Sequence, residues 1–509
     1  MKTSKKDTAR PTCADLTDKP LAPCTIVIFG ASGDLTARKL LPALFHLFCS
    51  GGLPEQMAIV GCARTDHDDQ EFRNKMEEAV QPDSSTMWAA FSSHLHYRQI
   101  SYDSPEKFEQ LRSDLHRIND QHRTCGNRIF YLSTPPILHP VVASMIGKAG
   151  LATERENNNG WARIVVEKPF GSNLKTAMEL DTTLHEHFAE HQIFRIDHYL
   201  AKETVQNILM LRFANTIFEP LWNRNYIDYV GIIASEKLGV EHRAGFYEQT
   251  GVLRDMFQNH MQQLLALTAM EAPSLFEADR VRDEKIKVFR SMKPFDRENA
   301  NDNLILGQYE AGKIDGKKVA GYRDEPDVRS DSLTPTFAMM RVFVDNWRWR
   351  NIPFYMVSGK RLPRKETKII IQFKEVPHSM FSPLIDERIS ANRLTLGIYP
   401  EDEIKLTFQT KTPGPSFCLQ PATLDFKYQH LANTPPLDAY EKVLLDCMVG
   451  DQTLFWRQDG VEQCWKFLSP ILDECEICQG QAGKLHLYKA GTWGPKSARK
   501  WMRLLVDEK

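Results

Sequence analysis

Residues 24–35 read Cys-Thr-Ile-Val-Ile-Phe-Gly-Ala-Ser-Gly-Asp-Leu, a β-branched apolar run followed at once by a turn with two glycines. The run predicts a buried strand, and residues 39–48 carry apolar side chains at helical spacing. In such a strand–turn–helix unit the glycines admit a pyrophosphate, and the helix N-terminus offers unpaired N–H groups. We therefore predict a dinucleotide-binding turn made of Gly30, Ala31, Ser32, Gly33, Asp34 and Leu35.

The rest of the chain divides by its pattern near residue 200. Before that point, apolar runs at 57–63, 128–132 and 162–166 alternate with amphipathic stretches, which is typical of a parallel sheet covered by helices. After it, strand-like and helical patterns are mixed. The strand-like segments are 229–234, 336–344, 368–373 and 393–398, and the helical ones are 202–222, 253–270 and 438–449. The polar region 296–333 is predicted to be irregular.

This organisation predicts a Rossmann-type α/β dinucleotide-binding domain over residues 23–200. A larger α+β domain with a mainly antiparallel sheet, over 201–509, is predicted to bind the substrate and to dimerise. Residues 1–22 are polar and rich in lysine, so we expect a flexible tail.

Composition excludes several classes of protein. A net charge of -2 gives no reason to expect a nucleic acid or a membrane as partner. The N-terminus lacks the apolar segment of a signal peptide, and no apolar run is long enough to span a bilayer, so we expect a cytoplasmic protein. Ten irregularly spaced cysteines fit a reducing compartment. The one CxxC pair, Cys475 and Cys478, has no second pair, and no metal site is predicted.

The end of the second predicted strand bears on the choice of cofactor. NAD enzymes commonly place an acidic residue there for the ribose hydroxyls, whereas NADP enzymes use an arginine for the 2′-phosphate. Arg64 occupies this position, with Asp66 two residues beyond it. A guanidinium is a bidentate phosphate donor, so the sequence favours NADP.

Three further segments carry a resemblance to a known family. Residues 167–171 read EKPFG, residues 254–260 read RDMFQNH, and residues 195–203 read RIDHYLAKE. The last of these is similar to RIDHYLGKE, the signature of the glucose-6-phosphate dehydrogenase family, with Ala201 replacing the glycine. The resemblance runs from about residue 24 to beyond residue 430. It implies an oxidoreductase that converts glucose 6-phosphate and NADP into the lactone and NADPH, the first step of the pentose phosphate pathway, and that forms a homodimer or homotetramer.

The resemblance also implies roles for individual residues. His260 is the expected general base and Asp197 its carboxylate partner, because removal of a hydride from C1 must be coupled to removal of the hydroxyl proton. Pro135 and Lys168 are expected to border the cofactor. Lys168 is also expected to contact the substrate, together with His198, Tyr199, Lys202, Glu236, Asp255, Lys360 and Lys365. If a helix started at His198, its side chain and that of Lys202 would share one face.

Two departures from the family pattern leave alternatives open. Val357 stands where relatives commonly have an arginine, and residues 397–400 read GIYP where many have Arg-Val/Ile-Gln-Pro. The loss of both arginines argues against the second, structural NADP of the animal enzymes. Tyr399 in place of glutamine favours, as an alternative, a hexose-6-phosphate dehydrogenase that uses NAD as well as NADP. A non-catalytic protein that binds NADP or a sugar phosphate is the other alternative.

Overall fold

The computed structural model describes residues 21–154, 160–295, 302–381, 389–415, 418–427, 437–477 and 485–506. It divides into two compact units. The first comprises Met1–Thr134, Met145–Ile164 and Leu444–Gly450, and the second comprises Pro135–Ser144, Val165–Val443 and Asp451–Lys509. The predicted division between residues 200 and 201 stays a prediction, and the predicted tail and the side chains of the Cys475–Cys478 pair lie mostly or wholly outside the described residues.

The N-terminal part of the chain, up to residue 195, forms a parallel sheet with strand β1 at its centre. Its strands are β1 Cys24–Phe29, β2 Met57–Ala63, β3 Leu95–Gln99 and β4 Arg128–Leu132. Strand β1 pairs in parallel with β2 and β4, and β2 with β3. With β5 Ala162–Val166 and β6 Ile193–Arg195, the strand order is β3-β2-β1-β4-β5-β6. This is the order of a doubly wound dinucleotide-binding fold, which confirms the predicted fold class.

Helices separate these strands, as the alternating pattern predicted. They are α1 Leu41–Cys49, α2 Asp69–Val80, α3 Ser85–Ser92, α4 Pro105–His122, α5 His139–Lys148 and α6 Leu174–His185. Every residue of β1 and β2 is buried, because a parallel strand is covered on both faces.

The second unit holds a larger sheet, nine-stranded over the described ranges, in the order β16-β15-β14-β13-β7-β12-β11-β8-β17. Two neighbouring pairs, β7 with β12 and β8 with β17, are parallel, and the others are antiparallel. The mainly antiparallel sheet is therefore confirmed. The strands are β7 Ile227–Ser235, β8 Leu304–Glu310, β11 Phe337–Phe343, β12 Pro353–Gly359, β13 Glu366–Phe373, β14 Arg393–Tyr399, β15 Glu403–Lys411, β16 Leu419–Lys427 and β17 Leu485–Lys489, besides a small hairpin of β9 Gly312–Ile314 and β10 Lys317–Val319.

The helices of this later part of the chain are α7 Glu203–Phe213, α8 Ala244–Val252, α9 His260–Ala269, α10 Ala278–Ser291, α11 Ala439–Val449, α12 Gln458–Ile477 and α13 Arg499–Leu505. Apolar side chains of α13, including Met502 and Leu505, pack with Ile233 and Ile370 of the sheet in one buried cluster. Among the described residues, no helix combines the length and the hydrophobicity that a bilayer crossing requires.

The prediction that residues 296–333 are irregular was wrong over Leu304–Glu310. That segment forms β8, which pairs with β11 on one side and β17 on the other. Its sequence, LILGQYE, gives only a short apolar run, so its strand conformation depends on pairing with distant parts of the chain.

Candidate active site

The glycine turn leaves β1 in a conformation that needs glycine. Gly30 has a φ of +87°, and a Cβ built on it would lie 2.3 Å from the carbonyl oxygen of Ser133. The Gly33 N–H donates to the carbonyl of Gly30 at 2.9 Å, which closes the turn. The chain then enters a helical segment at Thr36. A side chain at position 30 would thus be both strained and blocked, and the turn fits a group that requires close approach of the backbone.

Arg64 follows β2 directly and is exposed. The neighbouring Thr65 hydroxyl donates to the Ser32 hydroxyl at 3.1 Å, so the end of β2 lies beside the glycine turn. The Arg64 guanidinium forms no ion pair with a described carboxylate, since Asp34 is paired with Arg38 instead. A free guanidinium beside the turn fits the 2′-phosphate of NADP.

In the second unit, strand register places three of the predicted residues, together with Tyr399, at one end of the larger sheet. Strands β7 and β12 are parallel with Ser235 opposite Gly359, so Glu236 and Lys360 leave the sheet side by side. Strand β13 runs the opposite way and begins just after Lys365, with Glu366 opposite Ser235. Tyr399 ends β14 opposite Thr367. The order of the strands therefore gathers polar side chains that lie far apart in the sequence.

Asp197 and His260 form a fully buried pair. Asp197 lies in the turn after β6, and its Oδ1 accepts the Tyr199 N–H at 3.0 Å. His260 is the first residue of α9, and its Nδ1 lies 2.5 Å from Asp197 Oδ1. Since a carboxylate only accepts, Nδ1 carries the proton, and Nε2 keeps its lone pair. This arrangement orients a base.

The electrostatics of the pair keep His260 neutral near pH 7. Burial alone would raise the pKa of Asp197, but the positive charge that His260 carries when protonated, together with its hydrogen bond, holds that pKa well below its usual range. Burial lowers the pKa of His260 below its ordinary value of 6.5, and the positive charge of Lys168 adds to this effect, while Asp197 opposes it. An uncharged imidazole with an oriented lone pair can take up a proton.

Lys168 lies at the open nitrogen of His260. Its Nζ is 2.8 Å from His260 Nε2, 3.2 Å from the Asp255 carbonyl oxygen and 3.3 Å from Asp255 Oδ1. Burial would raise the pKa of Asp255, but the charges of Lys168 and Lys360 lower it to about 2. Asp197, His198 and His260 have potential metal-ligand atoms within 4.8 Å of one another. However, His260 Nδ1 already donates to Asp197 Oδ1, and the Lys168 ammonium already donates to His260 Nε2.

His198, Tyr199 and Lys202 line the same site, but not through a shared helical face. The helix starts only at Glu203, because Asp197 accepts the Tyr199 N–H and holds the preceding residues in a turn. The expectation that His198 and Lys202 share a helix face was therefore wrong. The Tyr199 ring instead stacks on the His260 ring, with the two centroids 4.1 Å apart. The Lys202 ammonium lies 4.4 Å from the centroid of the Tyr199 ring. Burial lowers the pKa of His198 well below its usual value, and the positive charge of Lys168 adds to this effect, so this imidazole is neutral.

The remaining predicted residues complete this end of the sheet. Lys360 forms an ion pair with Glu236, and its ammonium lies 5.0 Å from the Tyr247 ring centroid. Sequence reasoning missed Tyr247, whose ring lies beside Lys360, and Thr367, which strand register places opposite Tyr399. Pro135 starts a single helical turn, Pro136–Leu138, after β4, and the Lys168–Pro169 peptide bond is cis.

Comparison with known proteins covers both parts of the chain. Residues 27–207 match the glucose-6-phosphate dehydrogenase NAD binding domain, and residues 209–505 match the C-terminal domain of the same family. Glucose-6-phosphate 1-dehydrogenase of Aggregatibacter actinomycetemcomitans is 46% identical over 94% of this chain and 97% of its own. The enzyme of that name from Treponema pallidum is 43% identical over 94% and 93%.

Solved structures agree with the sequence matches. A glucose-6-phosphate dehydrogenase in complex with its substrate glucose-6-phosphate superposes with a TM-score of 0.88 at 33% identity, covering 96% of this chain and 100% of that one. Glucose-6-phosphate 1-dehydrogenase from Mycobacterium avium gives a TM-score of 0.81 at 30% identity, covering 96% and 98%. With both domain models and near full-length relatives matched, the chain belongs to the glucose-6-phosphate dehydrogenase family.

Proposed function

We propose that this chain oxidises D-glucose 6-phosphate at C1 to 6-phospho-D-glucono-1,5-lactone and reduces NADP+ to NADPH. Family membership supports the reaction. The observation that carries the proposal is the buried His260–Asp197 pair, whose Nε2 lone pair faces the Lys168 ammonium. A neutral base beside cations suits the removal of a proton from an anionic, hydroxylated substrate.

His260 is the proposed general base. Its Nε2 takes the C1 hydroxyl proton as the hydride leaves C1, and Asp197 stabilises the imidazolium that results. NADP+, when bound, supplies the hydride acceptor. Asp197 accepts the Nδ1 proton in the resting protein, so the tautomer required for this transfer is already set.

Lys168 is proposed to contact the reacting end of the substrate and the cofactor. A hydroxyl that gives its proton to His260 must come within about 2.6–3.2 Å of Nε2, which is the place that the Lys168 ammonium takes in this structure. Lys168 must therefore move aside or donate to the incoming oxygen. The Asp255 carbonyl and carboxylate, both near Nζ, provide alternative acceptors for it.

Lys202, Lys365, His198 and Tyr199 are the proposed phosphate ligands. Neither Lys202 nor Lys365 forms an ion pair with a described carboxylate, whereas Lys360 does. Two free ammonium groups in one site suit a dianion. Glu236, Asp255 and Lys360 are proposed to hold the sugar hydroxyls, because carboxylates accept from hydroxyl donors.

The first unit is proposed to bind NADP through the turn of Gly30–Leu35 and Arg64. Gly30 supports this because no side chain fits there, and Arg64 supports the choice of NADP because its guanidinium has no protein partner among the described residues. Pro135 stays a predicted cofactor residue. A homodimer or homotetramer and a cytoplasmic location stay predictions. Leu424 and Phe426 are exposed on the edge strand β16 and support an interface at this edge of the larger sheet.

Initial rates of NADPH and NADH formation test the proposal. We expect turnover with glucose 6-phosphate and NADP+ to exceed that with galactose 6-phosphate or with NAD+. Replacing Arg64 with alanine should raise KM for NADP+ by about 10-fold or more and leave KM for NAD+ nearly unchanged, since an arginine–phosphate contact contributes about 1.5–3 kcal/mol. Lys107→Ala is the control, because Lys107 is exposed. Arg73→Ala would not be suitable, because the Arg73 guanidinium donates to the Leu95 carbonyl.

Each alternative predicts its own outcome in this assay. Comparable rates with other hexose 6-phosphates and with NAD+ would indicate a hexose-6-phosphate dehydrogenase of dual cofactor use. No reduced cofactor with any pair, despite binding of NADP+, would indicate a non-catalytic binding protein. A preference for NAD+ in the wild type would contradict the role given to Arg64.

A further inference from the structure

Tyr399 lies close to Lys202 and Lys365, neither of which forms an ion pair with a described carboxylate. The Lys365 ammonium is 4.4 Å from the centroid of the Tyr399 ring, and the Lys202 ammonium is 5.8 Å from it. Both distances are within reach of a cation–π interaction, which extends to about 6 Å. The ring is 39% exposed, so one part of it is open to solvent and to a ligand.

Strand register explains how these groups meet. Tyr399 on β14 is opposite Thr367 on β13, and Lys365 is two residues before Thr367. Lys365 immediately precedes β13, and its ammonium lies within 4.4 Å of the Tyr399 ring on the neighbouring strand. The Lys202 ammonium, in the turn that precedes α7, reaches the same ring.

The result is a continuous row that starts at the proposed base. The His260 ring stacks on Tyr199, Tyr199 lies 4.4 Å from the Lys202 ammonium, and Tyr399 lies between Lys202 and Lys365. Lys202 and Lys365 repel each other. Burial and this repulsion lower the pKa of Lys202, while the negative charges of Asp402 and Asp197 oppose the shift. An aromatic face that attracts both ammonium groups offsets the repulsion without neutralising either charge. A carboxylate in the same place would compete with an anionic ligand, and a tyrosine does not.

We propose that Tyr399 is a specificity-determining residue that holds Lys202 and Lys365 in position for a phosphate dianion, so that the preference for phosphorylated over unphosphorylated hexose depends on its ring. The inference rests on the proposed function, because it concerns the phosphate end of the same substrate site. A phosphate monoester carries a charge of about −1.5 to −2 at pH 7, which matches two ammonium groups. The ring, rather than the hydroxyl, provides the effect.

Variants of Tyr399 test this role. In Tyr399→Leu we expect KM for glucose 6-phosphate and the inhibition constant of inorganic phosphate to rise together by roughly 5- to 20-fold, the loss of two cation–π contacts. We expect kcat to change little, and we expect kcat/KM for unphosphorylated glucose to change little as well. Tyr399→Phe keeps the ring and should behave as the wild type. Tyr226→Leu, at another half-exposed tyrosine, is the matched control and should change neither constant.

Several results would overturn the inference. Wild-type KM in Tyr399→Leu would show that the ring does not hold the lysines, and an equal loss with glucose and glucose 6-phosphate would show that it acts elsewhere. A loss in Tyr399→Phe as large as in Tyr399→Leu would transfer the role to the hydroxyl. Calorimetric titration of the wild type and Tyr399→Leu with inorganic phosphate needs no turnover. It therefore tests the inference even if the wild type forms no NADPH, a result that would instead reject the proposed function.

Discussion

Replacing His260 with asparagine is expected to lower kcat by about 10²- to 10⁴-fold, the usual contribution of a general base, with little change in KM for glucose 6-phosphate. The base acts in the transition state, so its loss should appear in kcat and kcat/KM alike. Asparagine can still donate an amide N–H to Asp197, which would otherwise become a buried carboxylate without its main partner. Initial rates of NADPH formation measure the effect.

A control separates this effect from damage to the fold. His486 lies on β17 and is exposed, so His486→Asn should leave the rate unchanged. Circular dichroism and the melting temperature of His260→Asn report whether the variant is folded. A folded His260→Asn protein with the wild-type kcat would remove His260 from its role as base.

Replacing Asp197 with asparagine is expected to reduce kcat by about 10²- to 10⁴-fold, because the imidazolium formed during the reaction loses its counter-charge and the tautomer is no longer fixed. The pH profile should change in a defined direction. In the wild type, Asp197 raises the pKa of His260 against the effect of burial. Its loss should lower the pKa of His260 further, so that the acid limb of the kcat/KM profile moves to lower pH.

An exposed acid provides the comparison for this variant. Asp228 lies on β7 with its side chain exposed, and Asp228→Asn should keep both the rate and the profile of the wild type. An acid limb that moves to higher pH in Asp197→Asn, or does not move while kcat is unchanged, would contradict the pairing of Asp197 with His260.

Much of the fold could be predicted from local pattern. The strand at 24–29 and the turn at Gly30 are adjacent in the sequence, and their patterns of burial and backbone conformation are set locally. The strand at 95–99 could not be recognised in the same way. It reads LHYRQ, with three polar side chains, His96, Arg98 and Gln99, among five residues, and its partner β2 lies more than thirty residues earlier. Pairing of this kind is decided by tertiary contacts rather than by propensity.

The site shows the same division between local and long-range information. Asp197 and His260 are recognisable from motifs. The 2.5 Å distance between Asp197 Oδ1 and His260 Nδ1, however, is set by the turn after β6 and by the start of α9. Nothing in the sequence indicates that Lys168 contacts His260 Nε2 or that the Tyr399 ring lies close to two lysines. From the sequence, Tyr399 is recognisable only as a replacement for the glutamine that many relatives have at this position. The register of β13 and β14 is what places its ring beside Lys365.

Transfer of deuterium from the substrate to the cofactor tests the central claim most directly. The wild-type protein would be incubated with NADP+ and with glucose 6-phosphate that carries deuterium at C1, and the reduced cofactor would be analysed by mass spectrometry. We expect NADPH with one deuterium in its nicotinamide ring, and a slower rate than with unlabelled substrate if hydride transfer limits turnover. Reduced cofactor without deuterium, or none at all, would contradict oxidation at C1 by this protein.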